Sequence, residues 1–319
     1  GGYGGPLRRR RAVRPHGHVG RLAAVSVYSL LKNKNAETQY NIYCMVAPHT
    51  RGKKKIQEII NQFPGTSLIW RPIKKHENPF QTYEYSRWSP VIFYRLIAHR
   101  IFPELDKILY IDSDTLICDD LGVLYNTNIS DYVMAAVPDV ALIEREDDPV
   151  GKYVREFMQE YLNNGIYYNS GVLLLNLKNI AKYQELLLST KIPLKYPDQD
   201  LLNAAFVGKI KTLELKYNYI PGIMYVPSHI PNSQLYGSER VILHFYAAKP
   251  YNYNMISRMA YSLFYKNATA IGMHPEDFIK HEQKYLKHIA HKKSSSDVFP
   301  FIRIKGNQIK LFGITLMRI

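Results

Sequence analysis

The chain has 319 residues, 46% of them apolar, so it can bury a substantial core, which excludes a wholly solvated, disordered protein. Its net charge of +15 belongs to its ends, because residues 1–22 carry +6 and residues 280–319 carry +7. The 257 residues between them carry about +2, which argues against a nucleic-acid-binding body; basic ends suit an anionic lipid surface at least as well.

The first half of the chain predicts alternating helices and strands after a disordered start. Residues 1–21 are rich in Gly, Pro and Arg and lack apolar periodicity, so we expect disorder there. Ser89 is the predicted N-cap of the helix before the central strand. The predicted elements are a helix over 22–32, strands over 40–46 and 67–73, helices over 53–62 and 90–101, and a strand over 107–111.

The second half continues the alternation. The acidic residues 144–148 predict a solvated turn, and Asp198 is the predicted N-cap of a helix that ends at Val207. The remaining predicted elements are strands over 132–137, 167–177, 210–215 and 241–246, and helices over 150–162 and 178–189. The tail predicts a helix over 275–291 and a linker over 292–296.

The last 21 residues mix aromatic, Leu and Ile residues with basic ones. One interpretation is a β-hairpin that turns at Gly306-Asn307 and packs on the body; the other is an interfacial membrane contact. Cys44 and Cys118 are too few for a disulfide framework and fit a reducing compartment. No apolar run reaches the ~18–20 residues of a membrane span, and Arg8–Arg11 with residues 22–31 resembles a signal peptide only loosely. We therefore expect a cytoplasmic protein, peripheral on the cytoplasmic membrane face.

Alternating strands and helices predict an α/β fold with a mostly parallel central sheet. Ligands of such sheets bind at the carboxyl ends of the strands, where Asp112, Asp139, Asn169 and His244 are predicted to lie. Asp112 and Asp114 would point to the same side of an extended backbone, which favours a divalent metal site. An Asx-type turn at Asp112 is the alternative interpretation.

Four motifs follow one another along the chain: Leu-Tyr-Ile-Asp-Ser-Asp at 109–114, Tyr-Asn-Ser-Gly-Val-Leu-Leu-Leu-Asn at 168–176, Pro-Asp-Gln-Asp-Leu-Leu-Asn at 197–203, and His244 with Lys249-Pro250. A Tyr-Arg-Leu element at 94–96 precedes them. In this order they resemble the retaining glycosyltransferases of family 8, the group of bacterial lipopolysaccharide galactosyl- and glucosyltransferases and of glycogenin. The resemblance covers about residues 22–255.

The resemblance implies a GT-A fold, a UDP-sugar donor and a Mn²⁺ ion, for which Mg²⁺ is a possible substitute. It places the metal on Asp112, Asp114 and His244, and two carboxylates with an imidazole suit Mn²⁺ better than Mg²⁺. By itself, His244 after an apolar strand would be a core histidine. Ser113 is carried over as a donor-binding residue.

The same resemblance assigns the remaining site residues. Lys249 would stabilise the departing UDP and also bind the donor, and Arg95 would reach the donor. Asp139, Asn169, Asp198 and Gln199 would hold the transferred sugar, with Asp198 and Gln199 counted among the catalytic residues. The alternatives are an exposed loop position for Lys249, an ordinary helix salt bridge for Arg95, and turn, cap or strand-end roles for the four sugar-binding residues. Asp200 is predicted to be structural.

Two departures from the family pattern stand out. Family members begin with a strand that ends in an Asp-x-Asn-Tyr-like segment, which grips the uridine, and residues 1–21 contain nothing like it. The spacing from His244 to Lys249 is one residue shorter than usual, and Tyr251 stands where tryptophan is common.

The predicted function is transfer of galactose or glucose, with retention, to a cell-surface glycan such as lipopolysaccharide core. The alternatives are a sugar- or nucleotide-binding relic of the same fold and a nucleic-acid-binding protein led by its basic ends. No nucleic acid is expected as a partner; a glycan or glycolipid acceptor is, and an anionic membrane is possible. The predicted domains are an atypical, disordered segment over 1–21, a GT-A catalytic domain over 22–260 and a helical, basic and aromatic appendage over 261–319 that is a candidate for membrane contact.

Overall fold

A computed structural model describes residues 16–50, 52–82, 89–140, 149–192, 195–221, 239–246, 249–250, 256–278, 302–305, 308–311 and 314–318. The predicted disorder of residues 1–21 is wrong for residues 16–21, which belong to a helix that begins at His16. The prediction for residues 1–15, the acidic turn at 144–148 and the linker at 292–296 lie outside these ranges. So do most of the predicted tail helix and Tyr251.

Helices and strands alternate through the chain, as predicted. The helices are α1 (His16–Lys32), α2 (Lys53–Ile60), α3 (Ala98–Ile101), α4 (Gly122–Tyr125), α5 (Pro149–Phe157), α6 (Leu177–Lys182), α7 (Gln184–Ser189), α8 (Pro197–Ala205) and α9 (Arg258–Ala270). The strands are β1 (Asn41–Val46), β2 (Ser67–Pro72), β3 (Lys107–Ile111), β4 (Thr115–Ile117), β5 (Met134–Pro138), β6 (Tyr168–Asn176), β7 (Ile210–Thr212), β8 (Ile242–His244), β9 (Ile302–Lys305), β10 (Gln308–Leu311) and β11 (Ile314–Arg318).

The largest described sheet has the strand order β3-β6-β5-β7. Strand β6 runs antiparallel to both β3 and β5, while β5 and β7 are parallel. Strands β3, β5 and β7 therefore run in one direction, as the prediction of a mostly parallel sheet requires, and the reversal of β6 is the feature that the prediction did not include. Helix α5, which lies between β5 and β6 in the chain, packs its Val154 and Met158 into a separate cluster with Tyr167.

Strand β6 is the centre of the molecule, since its side chains are buried on both faces. Leu173 and Leu175 pack in one apolar cluster with Leu96 of the helical segment 90–101. Val172 and Leu174 point to the opposite face and pack in a second cluster. An uninterrupted apolar run is the expected sequence of a strand covered on both sides.

Two small sheets complete the described core. Strands β1 and β2 are parallel, and the short β4 pairs antiparallel with β8, a pairing that puts Thr115 opposite His244. Strand β4 did not appear in the prediction, because Thr115–Ile117 is too short to show a period. Its pairing with β8 is what brings the fourth sequence motif to the first.

Helix α9 was also missed by the sequence prediction. It spans residue 260, where we placed the end of the catalytic domain, and Phe264 and Ala268 pack in one cluster with Val25 and Leu31 of α1. The division at residue 260 stays a prediction, but the core contributed by α1 continues at least into α9.

The other differences are local. The predicted helix 90–101 is a 3₁₀ segment, Pro90–Ile97, followed by α3, and Ser89 caps it as predicted by accepting from the amide of Val91. Strand β10 pairs antiparallel with both β9 and β11, and the β9–β10 pair agrees with the hairpin predicted to turn between residues 305 and 308. Within the described residues, no helix combines the length and apolarity that crossing a membrane requires.

Candidate functional site

The site is built where β3 ends. The backbone amide of Asp112 donates to the carbonyl of Gly171 in β6 (2.8 Å), which places the Asp-Ser-Asp motif beside the Asn-Ser-Gly motif. The motif itself is a turn between β3 and β4 rather than an extended segment, and the Thr115 hydroxyl donates to the Asp112 carbonyl (2.9 Å). The backbone therefore turns at this motif, and half-buried Ser113 lies within the turn. Asp112 and Asp114 nevertheless face one point.

The third member of the cluster is His244, at the carboxyl end of β8. Its Nε2 lies 3.5 Å from Oδ1 of Asp114 and 3.8 Å from Oδ2 of Asp112. One potential ligand atom from each of these residues lies within 4.8 Å of the others. The structure therefore brings together the three residues that the sequence predicted as metal ligands.

Two observations indicate that this cluster fits a metal ion. Nε2 of His244 is buried and has no hydrogen-bond partner among the described residues, although it faces two carboxylates. A buried nitrogen left in this way is costly unless something else meets it. A Cβ added at Gly171 would lie 2.0 Å from Cε1 of the ring, so the glycine leaves the space that the imidazole occupies.

Lys249 contacts the second carboxylate of the motif, with its Nζ donating to Oδ2 of Asp114. Burial opposes ionisation of Asp114, but the Lys249 ammonium outweighs it and holds the pKa of Asp114 well below its usual range. Asp114 is therefore an anion over the physiological pH range, as a metal ligand must be.

Arg95 connects the two halves of the site. It is 5% exposed; its Nη2 donates to Oδ1 of Asp112 (2.7 Å) and its Nε lies 3.2 Å from Oδ2 of Asp198. Its Nη1 donates to the carbonyl and the hydroxyl of Ser170. The arginine thus holds one carboxylate of each half in place, which is more than the single helix salt bridge of the alternative interpretation.

The second half of the site surrounds Asp139, which is fully buried and follows β5. Its Oδ2 accepts from the side-chain amides of Asn169 (2.8 Å) and Gln199 (3.1 Å), and its Oδ1 accepts from the Tyr246 hydroxyl (2.8 Å). Burial raises the pKa of Asp139, and these three donors counteract it. Asn169 lies at the amino end of β6, not at a carboxyl end as predicted, and reaches this edge because β6 is antiparallel to its neighbours.

Asp198 lies in the first turn of α8, whose N-cap is Tyr196, so the predicted capping role was wrong. Pro197 already supplies the first helical residue, and the carboxylate instead accepts from the Ser170 hydroxyl (2.8 Å). Gln199, next in the helix, accepts from the Ser170 amide (2.9 Å). The predicted site residues Asp112, Asp114, Arg95, Asp139, Asn169, Asp198, Gln199, His244 and Lys249 all belong to this contact network.

Asp200, which we predicted to be structural, ties α8 to its surroundings. Its carboxylate accepts from the hydroxyls of Tyr153 and Tyr167 and from the amides of Lys195 and Tyr196. It makes no contact with the cluster of Asp112, Asp114 and His244 among the described interactions. Burial outweighs these donors and raises the pKa of Asp200 to about 6.

This pKa predicts a pH dependence of stability. Between about pH 4 and pH 6 the unfolded Asp200 loses its proton while the folded one keeps it, so the free energy of unfolding falls as pH rises through this window. The contribution is about 3 kcal/mol, and it is constant above pH 6. We expect Asp200→Asn to show a correspondingly smaller fall in urea titrations at pH 4, 5 and 6. Asp131→Asn, at an exposed site, is the control, and equal slopes for Asp200→Asn and wild type would refute the assignment.

Sequence reasoning missed two residues that the structure places in the site. Tyr246 donates to Asp139, and Asn218, at the end of the 3₁₀ helix Leu215–Asn218, contacts the ring of His244. Tyr246 is the last residue of the strand predicted over 241–246 and could have been suspected from that position. Asn218 carries no such signal, since nothing in a Tyr-rich loop distinguishes one asparagine.

Comparison with known proteins shows the family of the chain. The family model described as "Glycosyl transferase family 8" matches residues 20–255 of the chain. A lipopolysaccharide 1,2-glucosyltransferase of Escherichia coli is 29% identical over 316 residues, which cover 90% of this chain and 87% of that protein.

Solved structures share the fold. The galactosyltransferase LgtC, solved in complex with donor and acceptor sugar analogs, has a TM-score of 0.63 at 21% identity, over 83% of this chain and 97% of that one. The bifunctional glycosyltransferase WbbM has a TM-score of 0.64 at 20% identity, over 83% of this chain and 50% of that one, so this chain corresponds to half of WbbM. The predicted GT-A class of α/β fold is confirmed by these neighbours.

Proposed function

This chain belongs to glycosyl transferase family 8, and from that premise we propose that it transfers galactose or glucose from a UDP-sugar with retention of configuration. The proposed acceptor is a cell-surface glycan such as lipopolysaccharide core, on the basis of the relationship to the E. coli glucosyltransferase. The proposed metal is Mn²⁺, with Mg²⁺ as a substitute, held by Asp112, Asp114 and His244.

The observation that carries the proposal is the state of His244. Its buried Nε2 lies within 4 Å of two carboxylates and has no hydrogen-bond partner in the described part of the chain. One nitrogen and two carboxylate ligands leave positions for donor phosphates, and a bound cation would offset charge that develops on the departing diphosphate. Packing alone would not require Nε2 of His244 to face the carboxylates of Asp112 and Asp114.

The remaining residues are proposed to bind and orient the donor. Lys249 lies beside Asp114 and would supply a further cation for the leaving UDP. Ser113 and Arg95 would also contact the donor. Asp139, Asn169, Asp198 and Gln199 would hold the sugar. Their buried hydrogen bonds support preorganisation, because side chains already fixed by partners lose little entropy when substrate arrives.

We propose that the anomeric configuration of the sugar is retained without a nucleophile from the protein. Gln199 is a poor nucleophile, and its amide is held at both ends, by the Ser170 amide and by Asp139. We propose same-face substitution, in which the departing phosphate accepts the acceptor's proton as the new glycosidic bond forms. A double displacement would instead need a carboxylate directly beneath the sugar.

The test is hydrolysis and transfer with UDP-galactose and UDP-glucose, with and without Mn²⁺, after calorimetric screening of binding. The proposal expects release of UDP that requires the metal and one preferred sugar. Binding of a UDP-sugar with no hydrolysis above that of an Asp114→Ala control would favour the sugar- or nucleotide-binding relic of the fold. Mass spectrometry of protein incubated with a slow-reacting donor should find no glycosylated peptide; a covalent sugar on Asp139 or Asp198 would contradict same-face substitution.

We also propose that the chain works at the cytoplasmic face of the membrane, where its basic termini would meet anionic lipid. Sedimentation with vesicles that contain or lack anionic phospholipid tests this. Binding that is equal for both vesicle types, or absent, would oppose it.

A further inference from the structure

We infer that Asn218 is a positioning residue that sets the tautomer of His244 and thereby its affinity for a divalent cation. This inference rests on the proposed metal site and names a residue outside the four motifs. Its Oδ1 lies 2.9 Å from Nδ1 of His244, and both residues are buried.

The orientation of the Asn218 amide follows from a donor whose identity is not in question. The backbone N–H of Gly171 donates to Oδ1 of Asn169 (2.8 Å), which fixes which end of the Asn169 amide is oxygen. The opposite end, Nδ2, donates to the carboxylate of Asp139 (2.8 Å), and a carboxylate is an acceptor. Both contacts of Asn169 therefore agree on one orientation.

The orientation of the Asn169 amide fixes that of the Asn218 amide. Oδ1 of Asn169 also lies 2.8 Å from the side-chain nitrogen of Asn218, which must donate to it. Oδ1 of Asn218 is then the end that faces His244, and an amide oxygen only accepts. The ring nitrogen opposite it, Nδ1, must carry the hydrogen.

A neutral imidazole with its hydrogen on Nδ1 has its lone pair on Nε2. That is the nitrogen that faces Asp112 and Asp114. The relay from Gly171 through Asn169 and Asn218 therefore prepares His244 as a ligand before any cation arrives. Partners of this kind on the second nitrogen of a metal-binding histidine typically change metal affinity by about 10–100-fold when removed.

The relay also joins the two halves of the site. Asn169 uses both ends of its amide on protein partners, so its main action toward the cluster is through Asn218 rather than by direct contact. Asp139 anchors the far end of the same chain of hydrogen bonds and receives Gln199 as well. One connected set of polar side chains thus extends from the sugar-side carboxylate to the metal-side imidazole.

The experiment uses the full chain, first free of metal. Two-dimensional ¹H–¹⁵N NMR of the histidine rings, with His244 assigned from its absence in His244→Gln, should show the Nδ1–H tautomer in wild type. In Asn218→Leu we expect the Nε2–H tautomer to become populated. An Nε2–H tautomer in wild type would overturn the inference, even if the leucine variant fails to fold.

The second readout is the Kd for MnCl₂ from calorimetry. We expect Asn218→Leu to weaken it about 10–100-fold. The matched control is Asn78→Leu, another buried asparagine, whose amide donates to Pro90 and accepts from Phe80. It should leave both the tautomer and the Kd unchanged.

The outcomes separate this inference from the proposed function. If wild type binds Mn²⁺ and Asn218→Leu binds it equally with His244 still in the Nδ1–H form, the inference is wrong and the metal site stands. If wild type shows no Mn²⁺ binding, the proposed metal site itself fails.

Discussion

Replacing Asp114 with alanine should abolish Mn²⁺ binding and lower UDP-sugar hydrolysis by at least about 10²-fold. The change removes one of the two carboxylates of the cluster and also takes the partner of Lys249 away. A lysine left without its counter-ion beside the site repels a cation, so the loss of affinity should exceed that from the ligand alone. Calorimetry with MnCl₂ and a coupled assay for UDP release measure the two effects.

The control for this substitution is Asp131→Ala, which removes a carboxylate from an exposed position far from the motif in the fold. It should match wild type in both measurements. Near wild-type hydrolysis by Asp114→Ala would rule out a role for this carboxylate in the reaction.

Replacing Gly171 with alanine adds a single methyl group, yet it should lower UDP-sugar hydrolysis about as much as Asp114→Ala does. The new Cβ would lie 2.0 Å from Cε1 and under 3.0 Å from both nitrogens of His244, so the ring must leave its position. The ring lies against β6 with almost no free volume, and a displacement of about 1 Å of a reacting group can cost about 10²-fold in rate. We expect a comparable loss of UDP-sugar hydrolysis, with about 1–3 kcal/mol of destabilisation from overpacking.

A double-mutant cycle distinguishes displacement of the ring from general damage. Gly171→Ala combined with His244→Gln should be no less active than His244→Gln alone, because the smaller side chain relieves the clash. Additive losses in urea-unfolding and hydrolysis data would show that the methyl group acts elsewhere. Gly171 does not have a positive φ, so backbone strain does not complicate this comparison.

The sequence predicts the ingredients of the site better than the geometry that joins them. The Asp-Ser-Asp motif, Asn169, Gln199 and His244 were all identifiable as residues at strand or helix ends. Strand direction was not, because an apolar run such as β6 reads the same in either direction. The correct edge was predicted for Asn169 for the wrong reason, since the start of an antiparallel strand meets the ends of its neighbours.

Long-range pairings account for the rest. The three-residue strand β4 and its pairing with β8 bring Thr115 opposite His244 across more than a hundred residues of chain, and no local pattern encodes this. Asn218 was missed for the same reason, because its role exists only once His244 is beside it. Helix α9 was passed over although its Phe264 and Ala268 have helical spacing; its apolar residues are scattered among polar ones.

Only the structure shows why a side chain is excluded at Gly171. Asn-Ser-Gly lies inside a nine-residue strand, as the prediction of a strand over 167–177 required. The sequence did not show why a glycine stands there: its absent side chain leaves the space that the imidazole of His244 occupies. A glycine inside a strand often marks such a close approach.

The most direct test is a crystal structure of the protein with MnCl₂ and UDP, with diffraction data collected at the manganese absorption edge. We expect one strong anomalous peak in contact with carboxylate oxygens of Asp112 and Asp114 and with Nε2 of His244, and UDP phosphate oxygens on the same ion. A peak elsewhere, or nucleotide bound with no ion between these three side chains, would contradict this expectation.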